Sequence, residues 1–427
     1  MKRRTGPAPR AEVRIDSIAA GGEGVGRLED GRVVFVHRTA PGDLAAIELV
    51  KQQKRWARGR LLRVIEPSAD RREAPCKFYA RCGGCTLEHI RYDAQLRAKA
   101  TIVRDALTRI AGLTLDIPEV VASPEEFRYR NRVSFTLRRL GRGKVVAGFH
   151  ALHDPNTIVD LDGGCLLPEE PISRVWDRLR AAWGPDANLL PSGERLRLTL
   201  RANAAGEVTL LIEGGFTEGD AAELITKVDG LTAVWHRPAA DPATLLAGAP
   251  GLPETWGDEE IELSGAAFLQ VNRGTAALLE AHVVEQIGDP AGLTIVDAYC
   301  GIGVLARRLA RAGATVTGIE LEARAIAEAR RNSPPTATFL EGPVESLLPD
   351  HLPADLVVLN PPRSGVAPEV VQQLIAEPPE RLVYISCDPA TLARDLGRLR
   401  GVLTLRHVRC FDLFPQTSHV ETVAVLS

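Results

Sequence analysis

The carboxyl-terminal part of this chain alternates short apolar segments with helical segments, and this alternation constrains the fold more than any other feature. The apolar segments TIVDA, TVTGIE, DLVVLN and RLVYIS begin at residues 294, 315, 355 and 381, and helical patterns lie between them. Short apolar strands joined by helices are typical of a parallel sheet with helices on both faces. We therefore predict a doubly wound α/β sheet that ends with a strand in HVETVAVLS.

Two regions with other patterns precede the alternating segment. Residues 11–65 combine short strands with Gly-containing turns, which predicts a small β-barrel. A helix is predicted from Tyr92 to Ile110, and residues 125–260 predict a mixed region with two hairpins. The Pro- and Gly-rich stretch 241–260 is predicted to be a loop or boundary. The predicted domains are a basic arm with an OB-like barrel over residues 1–68, a mixed α+β central domain over 69–260 and the α/β domain over 261–427.

The composition excludes several classes of protein. The chain has 427 residues, and none of its apolar runs approaches the roughly 18 residues of a membrane span. The basic amino terminus has no apolar stretch behind it, so we expect no secretory signal. The seven cysteines indicate a reducing compartment, with thiols used for metal binding or catalysis rather than disulfides. We therefore expect a cytoplasmic protein that does not contact a membrane. We also expect it to be a monomer.

The charge is unevenly distributed along the chain. Residues 1–72 carry 16 Lys and Arg against 9 Asp and Glu, whereas the whole chain has a net charge of −3. A run of basic residues from Lys51 to Arg63 surrounds Trp56 in the predicted barrel. A basic barrel with an aromatic side chain is a common arrangement for binding RNA, although a solvated surface has the same pattern. The pattern indicates a polyanionic partner.

A glycine-containing loop follows the first predicted strand of the α/β domain. In VDAYCGIGVLA, Gly301 and Gly303 allow a tight turn, so that a ligand can lie at the carboxyl end of the strand. Glu320 ends the second strand, where an acid can accept hydrogen bonds from ribose hydroxyls. Asp297 is a second polar anchor at this edge. Because the loop is not G-x-G-x-x-G, S-adenosylmethionine fits the pattern better than NAD.

Four cysteines form a candidate metal site. Cys76, Cys82 and Cys85 lie close together in EAPCKFYARCGGCTLEH, and Cys165 lies far downstream. Four thiolates can bind a zinc ion or an iron–sulfur cluster, and His89 is a further candidate ligand for zinc. The spacing predicts metal binding and leaves the identity of the metal open.

Cys387 lies where a predicted strand meets a predicted helix. In YISCDPATLARD it follows apolar strand residues, and Asp388-Pro389 is typical of a helix start. A buried structural cysteine is the ordinary interpretation. Because a helix amino terminus stabilises an anion, we expect a lowered thiol pKa and a reactive thiolate. Asn360 and Arg363 are predicted at the same edge of the sheet, and Glu421 at the start of the last strand.

A thiol, a carboxylate and a methyl donor in one crevice suit the methylation of uracil at carbon 5. That carbon is nucleophilic enough only after a thiolate has added to carbon 6. Cys387 is the candidate nucleophile, and Glu421 is the candidate base that removes the proton from carbon 5. Arg363 or backbone donors could stabilise the enolate charge.

These motifs, in this order, resemble the RNA 5-methyluridine methyltransferases that use S-adenosylmethionine. The matching segments are the barrel, which resembles a TRAM domain, and FLQVN, DAYCGIG, NPPRSG, SCDPATLARD and FPQTSHVE. The resemblance covers most of the chain and implies a Rossmann-like methyltransferase domain. It also implies that the four clustered cysteines hold a [4Fe-4S] cluster.

The resemblance assigns further residues. It implies cofactor contacts from Gln270, Tyr299, Glu320 and Asn360, and it places Cys387 and Glu421 at the nucleophile and base positions. We expect RNA contacts from Arg130, Arg132, Phe268 and Arg363. The implied substrate is a uridine in 23S ribosomal RNA, with a transfer RNA uridine as the alternative.

One position departs from the family pattern. The family usually has Asp where this chain has Asn360, and Asn-Pro-Pro is also found in methyltransferases that act on exocyclic amines. Those enzymes have an aromatic residue where this chain has Arg363, and they would not need Cys387. A non-catalytic RNA-binding iron–sulfur protein is a further alternative, and it would tolerate the loss of Glu421. The uracil reaction uses both Cys387 and Glu421, and Asn360 leaves open only which contact this position makes to the cofactor or the base.

Overall fold

The amino-terminal strands form a small closed barrel. The computed structural model of the chain describes residues 9–116, 119–239, 242–257, 259–263, 269–331 and 333–427. The barrel order is β1-β2-β3-β5-β4, and its strands are β1 (Arg10–Ile18), β2 (Gly24–Arg27), β3 (Val33–Val36), β4 (Leu44–Gln52) and β5 (Trp56–Glu66). Alternate residues point inward, so Val13, Ile15, Val34, Val36 and Ile47 form the barrel core. The predicted barrel is confirmed.

A long helix follows the cysteine segment, residues 76–90. This helix, α1, covers Tyr92–Ala106, and a π-helical turn continues it over Leu107–Ala111. The predicted helix is confirmed, except that its last turn is not α-helical. Leu96 and Val103 are buried as their spacing predicts.

The central part of the chain forms a seven-stranded sheet with two helices. Its strand order is β12-β11-β10-β9-β6-β7-β8. Phe135 on the sheet packs against Trp176 on the first of these helices, with 4.1 Å between ring centroids. Both predicted hairpins are present, as β6–β7 and β9–β10. The elements are β6 (Arg132–Arg139), β7 (Val145–His150), β8 (Ile158–Asp160), α2 (Glu170–Ala182), β9 (Arg195–Ala202), β10 (Val208–Glu213), α3 (Ala221–Lys227), β11 (Leu231–Arg237) and β12 (Thr244–Gly248).

The stretch 241–260 is more regular than the sequence indicated. It contains β12 and β13 (Leu252–Trp256), and β13 pairs with β14 (Glu259–Leu263). The prediction of a loop is therefore wrong. Leu252, Glu254 and Trp256 alternate toward the buried side of the ribbon, and an edge strand tolerates Pro253 because it leaves one row of backbone groups unpaired.

The carboxyl-terminal domain is a mixed sheet covered by helices. Its strand order is β17-β16-β15-β18-β19-β21-β20. The first five of these strands are parallel, as predicted, whereas β21 pairs antiparallel with both β19 and β20. The elements are α4 (Arg273–Ile287), β15 (Thr294–Ala298), α5 (Val304–Arg311), β16 (Thr315–Glu320), α6 (Ala323–Arg330), β17 (Ala337–Glu341), α7 (Val344–Leu347), β18 (Leu356–Leu359), α8 (Pro368–Ala376), β19 (Arg381–Ser386), α9 (Pro389–Leu399), β20 (Leu405–Phe411) and β21 (Glu421–Leu426).

The strand order reverses between β15 and β18, which creates a crevice at the carboxyl ends of the central strands. The two faces of the sheet contribute to separate apolar cores, so its strands are buried on both sides. Within the part of the chain that the structure describes, no helix has both the length and the apolar character needed to cross a membrane.

Candidate active site and cysteine site

The loop after β15 forms one wall of the crevice. Asp297 is buried at the end of β15, and burial raises the pKa of its carboxyl to about 7, with Glu320 acting in the same direction. Tyr299 has a φ of 64°, which few non-glycine residues adopt. Gly301 and Gly303 also have positive φ values, of 56° and 73°. Three residues of this turn therefore have a left-handed backbone conformation, which glycine adopts without strain.

Glu320 connects β16 to this loop. One carboxylate oxygen accepts a hydrogen bond from the Gly301 amide at 3.1 Å, and the other accepts from the amides of Leu321 and Glu322 at 2.7 and 3.0 Å. Leu321 is 69% exposed directly beside it. The backbone amides therefore hold the carboxylate at the carboxyl end of the strand.

The remaining predicted cofactor residues lie on neighbouring segments. The Asn360 amide donates to the Ala298 carbonyl at 3.2 Å, which places Asn360 at the end of β18 next to the first loop. The Gln270 carbonyl accepts from the Asn131 side chain at 3.0 Å, shortly before α4. Phe268, a predicted RNA contact, lies outside the described residues.

Cys387 lies between β19 and α9, as predicted. The Asp388 side chain caps α9 by accepting from the amides of Ala390 and Thr391, at 2.9 Å each. Burial raises the pKa of the Cys387 thiol, the Glu421 carboxylate acts in the same direction, and Arg363 opposes them. The expected lowering of the thiol pKa is therefore wrong, because the loss of hydration outweighs the stabilisation of the thiolate.

Glu421 begins β21 and is buried, with 3% of its surface exposed. No described group hydrogen-bonds to its Oε2 atom. Burial raises the pKa of this carboxyl to about 8, and the exposed Arg363 partly opposes the shift. A buried carboxyl without a hydrogen bond to that oxygen can take up a proton near neutral pH.

Residues 412–420 form a loop that directly precedes Glu421, and we call it the catalytic loop because Glu421 is the predicted base. Its Asp412 forms a fully buried ion pair with Lys99 of α1, and its Gln416 accepts a hydrogen bond from Gln95 of the same helix at 2.9 Å. No sequence pattern had indicated a role for these residues. Gln95 and Lys99 are four apart on the buried face of α1, and polar residues in such a position are the signal that could have revealed them.

The four predicted metal ligands line one cavity. Cys76, Cys82, Cys85 and Cys165 share it with mostly apolar side chains, including Phe78, Phe127, Phe149 and Leu161. A Cβ on Gly84 would lie 3.0 Å from Phe149, so glycine allows the segment to pass close to that ring. Within the described residues, no group of three or more His, Cys, Asp or Glu side chains is arranged to hold a metal ion.

His89, the alternative zinc ligand, lies outside the cysteine cavity. Its Nδ1 atom lies 2.5 Å from the Tyr79 hydroxyl, and it is not among the residues that line the cysteine cavity.

The two remaining cysteines pack in apolar cores. Cys410 is fully buried in an apolar core, and Cys300 packs against the second core of the sheet.

The two predicted RNA-contacting arginines are half-buried. The Arg130 guanidinium lies 5.8 Å from the ring centre of Phe414 in the catalytic loop, and its Nε atom donates to the Tyr129 hydroxyl at 3.3 Å. Arg132 begins β6, where burial and the nearby charge of Arg197 lower the pKa of its guanidinium. Arg130 thus lies beside the catalytic loop, and Arg132 lies on the central sheet.

Comparison with known proteins gives three matching family models. They are the TRAM domain over residues 10–62, a methyltransferase domain over residues 295–381, and tRNA (uracil-5-)-methyltransferase over residues 347–427. The TRAM match covers the barrel, and the other two cover most of the α/β sheet.

Relatives of similar length match nearly the whole chain. An uncharacterized RNA methyltransferase of Gloeobacter violaceus is 38% identical, with 97% of this chain and 95% of the relative aligned. One from Thermosynechococcus vestitus is 35% identical, with 97% of each protein aligned. The crystal structure of the Pyrococcus abyssi tRNA (uracil-54, C5)-methyltransferase, in complex with S-adenosyl-L-homocysteine, matches with a TM-score of 0.75 and 27% identity, over 97% of this chain and 100% of that protein.

The predicted fold class is confirmed: a Rossmann-like methyltransferase sheet follows an amino-terminal barrel and a mixed central region. The chain is an enzyme, and it belongs to the TRAM-containing RNA methyltransferases of the uracil-5 family.

Proposed function

We propose that this protein methylates carbon 5 of one uridine in RNA, and that the uridine lies in 23S ribosomal RNA. The observation that carries the proposal is the position of Cys387 beside the buried carboxyl of Glu421 at the edge of the sheet. Covalent methylation of uracil needs both groups, whereas methylation of an exocyclic amine needs no thiol. The RNA substrate also accounts for the TRAM barrel.

In the proposed mechanism the target base is first flipped out of its stack. The Cys387 thiolate adds to carbon 6, and the electrons of the carbon 5–carbon 6 double bond move onto the carbonyl at carbon 4 as an enolate. Bound S-adenosylmethionine would supply the methyl group that carbon 5 takes up, and it would leave as S-adenosylhomocysteine. Glu421 then removes the proton from carbon 5, and the double bond re-forms as the carbon–sulfur bond breaks. We propose that Arg363 stabilises the enolate, because its charge acts on both Cys387 and Glu421.

The first loop of the sheet fits S-adenosylmethionine. No described atom beyond the neighbouring residues lies within 4 Å of the position of a Cβ on Gly301, so the backbone is open on that side. We propose that Glu320 binds the ribose hydroxyls with its remaining lone pairs, since the backbone already fixes its orientation. Further proposed contacts come from Gln270, Asp297, Tyr299, Gly303 and Asn360.

We propose that the four cysteines in the common cavity hold a [4Fe-4S] cluster. Four thiols around a largely apolar cavity have the ligand chemistry of such a cluster. Protein purified without oxygen should be brown and contain iron and sulfide, and Cys82→Ala should lose both. Colourless protein that contains zinc would refute this assignment.

We propose that Arg130, Arg132, Phe268 and Arg363 contact the RNA, and that the enzyme acts in the cytoplasm as a monomer. The proposed domains span residues 1–68, 69–260 and 261–427. A transfer RNA uridine is the second candidate substrate, because the Pyrococcus abyssi protein that aligns with nearly the whole chain is a tRNA (uracil-54, C5)-methyltransferase.

The experiment that tests the function is mass mapping of methylated uridines in ribosomal and transfer RNA from cells with and without this protein. The expected result is one 5-methyluridine in 23S ribosomal RNA that disappears without the protein. If a 5-methyluridine in transfer RNA disappears instead, the substrate is transfer RNA. If a methyl group on an exocyclic amine disappears instead, the proposed reaction is wrong. Cys387→Ala should abolish the modification, whereas Cys410→Ala, a thiol control within the core, should retain it.

A further inference from the structure

The side chain of Gln416 connects the catalytic loop to three other segments. Its Oε1 atom accepts hydrogen bonds from Arg72 and from Gln95, at 2.9 Å each. Its Nε2 atom donates to the Glu126 carbonyl at 3.2 Å. Gln416 is fully buried, so each of these bonds is protected from competition with water.

The backbone of Gln416 makes a second set of bonds. Its amide donates to Oε1 of Gln95 at 3.0 Å, so the two glutamines pair in both directions. Its carbonyl accepts from the amides of Thr86 and Leu87, at 2.9 Å each. Thr86 directly follows Cys85, so the cysteine segment is bonded to the catalytic loop at this residue. The φ of Gln416 is 69°, a conformation that its surroundings must stabilise.

Glu421 itself has little that fixes its carboxylate. No described group hydrogen-bonds to its Oε2 atom, and Arg363, the charged group that affects its pKa, is exposed. The position of the carboxylate therefore depends on the backbone on either side. On one side it is β21, which pairs with β19 and β20. On the other side it is the catalytic loop, which Gln416 holds five residues earlier.

We infer that Gln416 is a positioning residue for the proton-removal step: it fixes the catalytic loop against α1 and the cysteine segment, and so holds Glu421 at carbon 5 of the uracil. This inference rests on the proposed function. A general base must lie within hydrogen-bond distance of its proton, and a displacement of about 1 Å is enough to slow such a step strongly. Cys387 directly follows β19, which ends at Ser386, and lies outside the catalytic loop, so its attack on carbon 6 does not depend on Gln416.

The test compares uridine RNA with the same RNA containing 5-fluorouridine at the target position. Fluorine replaces the proton that Glu421 would remove, so the covalent adduct with Cys387 forms and cannot be released. Adduct formation with the fluorinated RNA thus reports folding, RNA binding and thiolate attack, whereas turnover of uridine RNA also reports proton removal. Gln416→Gly retains the positive φ, the backbone amide and the backbone carbonyl, but it removes the side-chain carboxamide. Gln416→Asn retains a carboxamide and also tolerates this φ.

Gln416→Gly should lower turnover of uridine RNA by about 10- to 100-fold, leave adduct formation with fluorinated RNA within about twofold, and accumulate an adduct on uridine RNA. Gln416→Asn should fall between Gly and the native residue, and Thr101→Ala on the surface of α1 should match the native enzyme. Equal losses on both RNAs, or no loss on either, for both Gln416 variants would overturn the inference. If the native enzyme forms no adduct with fluorinated RNA, the proposed function fails instead.

Discussion

Cys387 and Glu421 lie together where the antiparallel pairing of β19 and β21 ends. The last pair of this register is Ser386 with Thr422, and Cys387 and Glu421 are the next residues of the two segments. Burial raises the pKa of the Cys387 thiol, and the Glu421 carboxylate acts in the same direction. The proposed nucleophile therefore has the proposed general base as a charged neighbour.

Turnover should rise with pH through about 8. Glu421 acts as a base only when it is deprotonated, and the pKa of its carboxyl lies at about 8. The Cys387 thiol also has a raised pKa, so both groups favour the same direction. The check is kcat on uridine RNA from about pH 6.5 to about pH 9.5. A flat or falling profile between about pH 7 and about pH 9 would contradict the assigned base.

Glu421→Gln should stabilise the protein while it abolishes turnover. Folding raises the pKa of Glu421 from 4.5 to about 8. The protonated carboxyl therefore favours the folded protein, and this stabilisation is lost as the pH rises from 4.5 through about 8. At pH 8.5 the amide should gain on the order of 1–3 kcal/mol over the carboxylate. Near pH 5 the two proteins should be almost equally stable.

The measurement is denaturant unfolding of both proteins at the two pH values. The same variant should retain a covalent adduct on uridine RNA, because methyl transfer precedes the missing proton removal. If the native protein and the variant are equally stable at both pH values, burial of the Glu421 charge does not destabilise the folded protein.

Lys99→Met should destabilise the protein by about 3–5 kcal/mol, because it leaves Asp412 buried without its cation. Adding Asp412→Asn should recover part of the loss, since the second change removes the unpaired charge. Denaturant midpoints of the native, single and double variants test this prediction. A double variant less stable than Lys99→Met alone would contradict it.

Gly301→Ala should weaken cofactor binding, whereas Gly303→Ala should mainly lower stability. Both positions have positive φ, which costs an alanine about 1–2 kcal/mol. A Cβ at Gly303 would also collide with the ring of Phe339, so this variant should lose markedly more stability. A Cβ at Gly301 meets no described atom beyond its neighbours, so this variant should fold and bind S-adenosylmethionine at least about tenfold more weakly. Calorimetry of binding and thermal unfolding separate the two effects.

Local patterns allowed much of the fold to be predicted. The two hairpins, the helix after the cysteine segment and the buried strand before Cys387 follow from turn residues, helical spacing and apolar runs. The Asp388-Pro389 helix start was also predicted, because capping depends only on adjacent residues. The stretch 241–260 was predicted wrongly to be a loop because it is rich in Pro and Gly. Its strand β13 forms a ribbon with β14, and this pairing depends on the partner strand rather than on local composition.

By itself, the sequence determined the alternation of strands and helices in the α/β domain, the glycine loop, the candidate nucleophile and the candidate base, because each depends on residue type and short-range spacing. Only the tertiary structure decided that β21 enters the sheet antiparallel and sets Glu421 beside Cys387. It also decided the direction of the thiol pKa, which depends on burial. The bonds from Gln95 and Lys99 to the catalytic loop join residues 321 and 313 positions apart. Contacts between such distant parts of a chain depend on its global packing and leave no periodic pattern in the sequence.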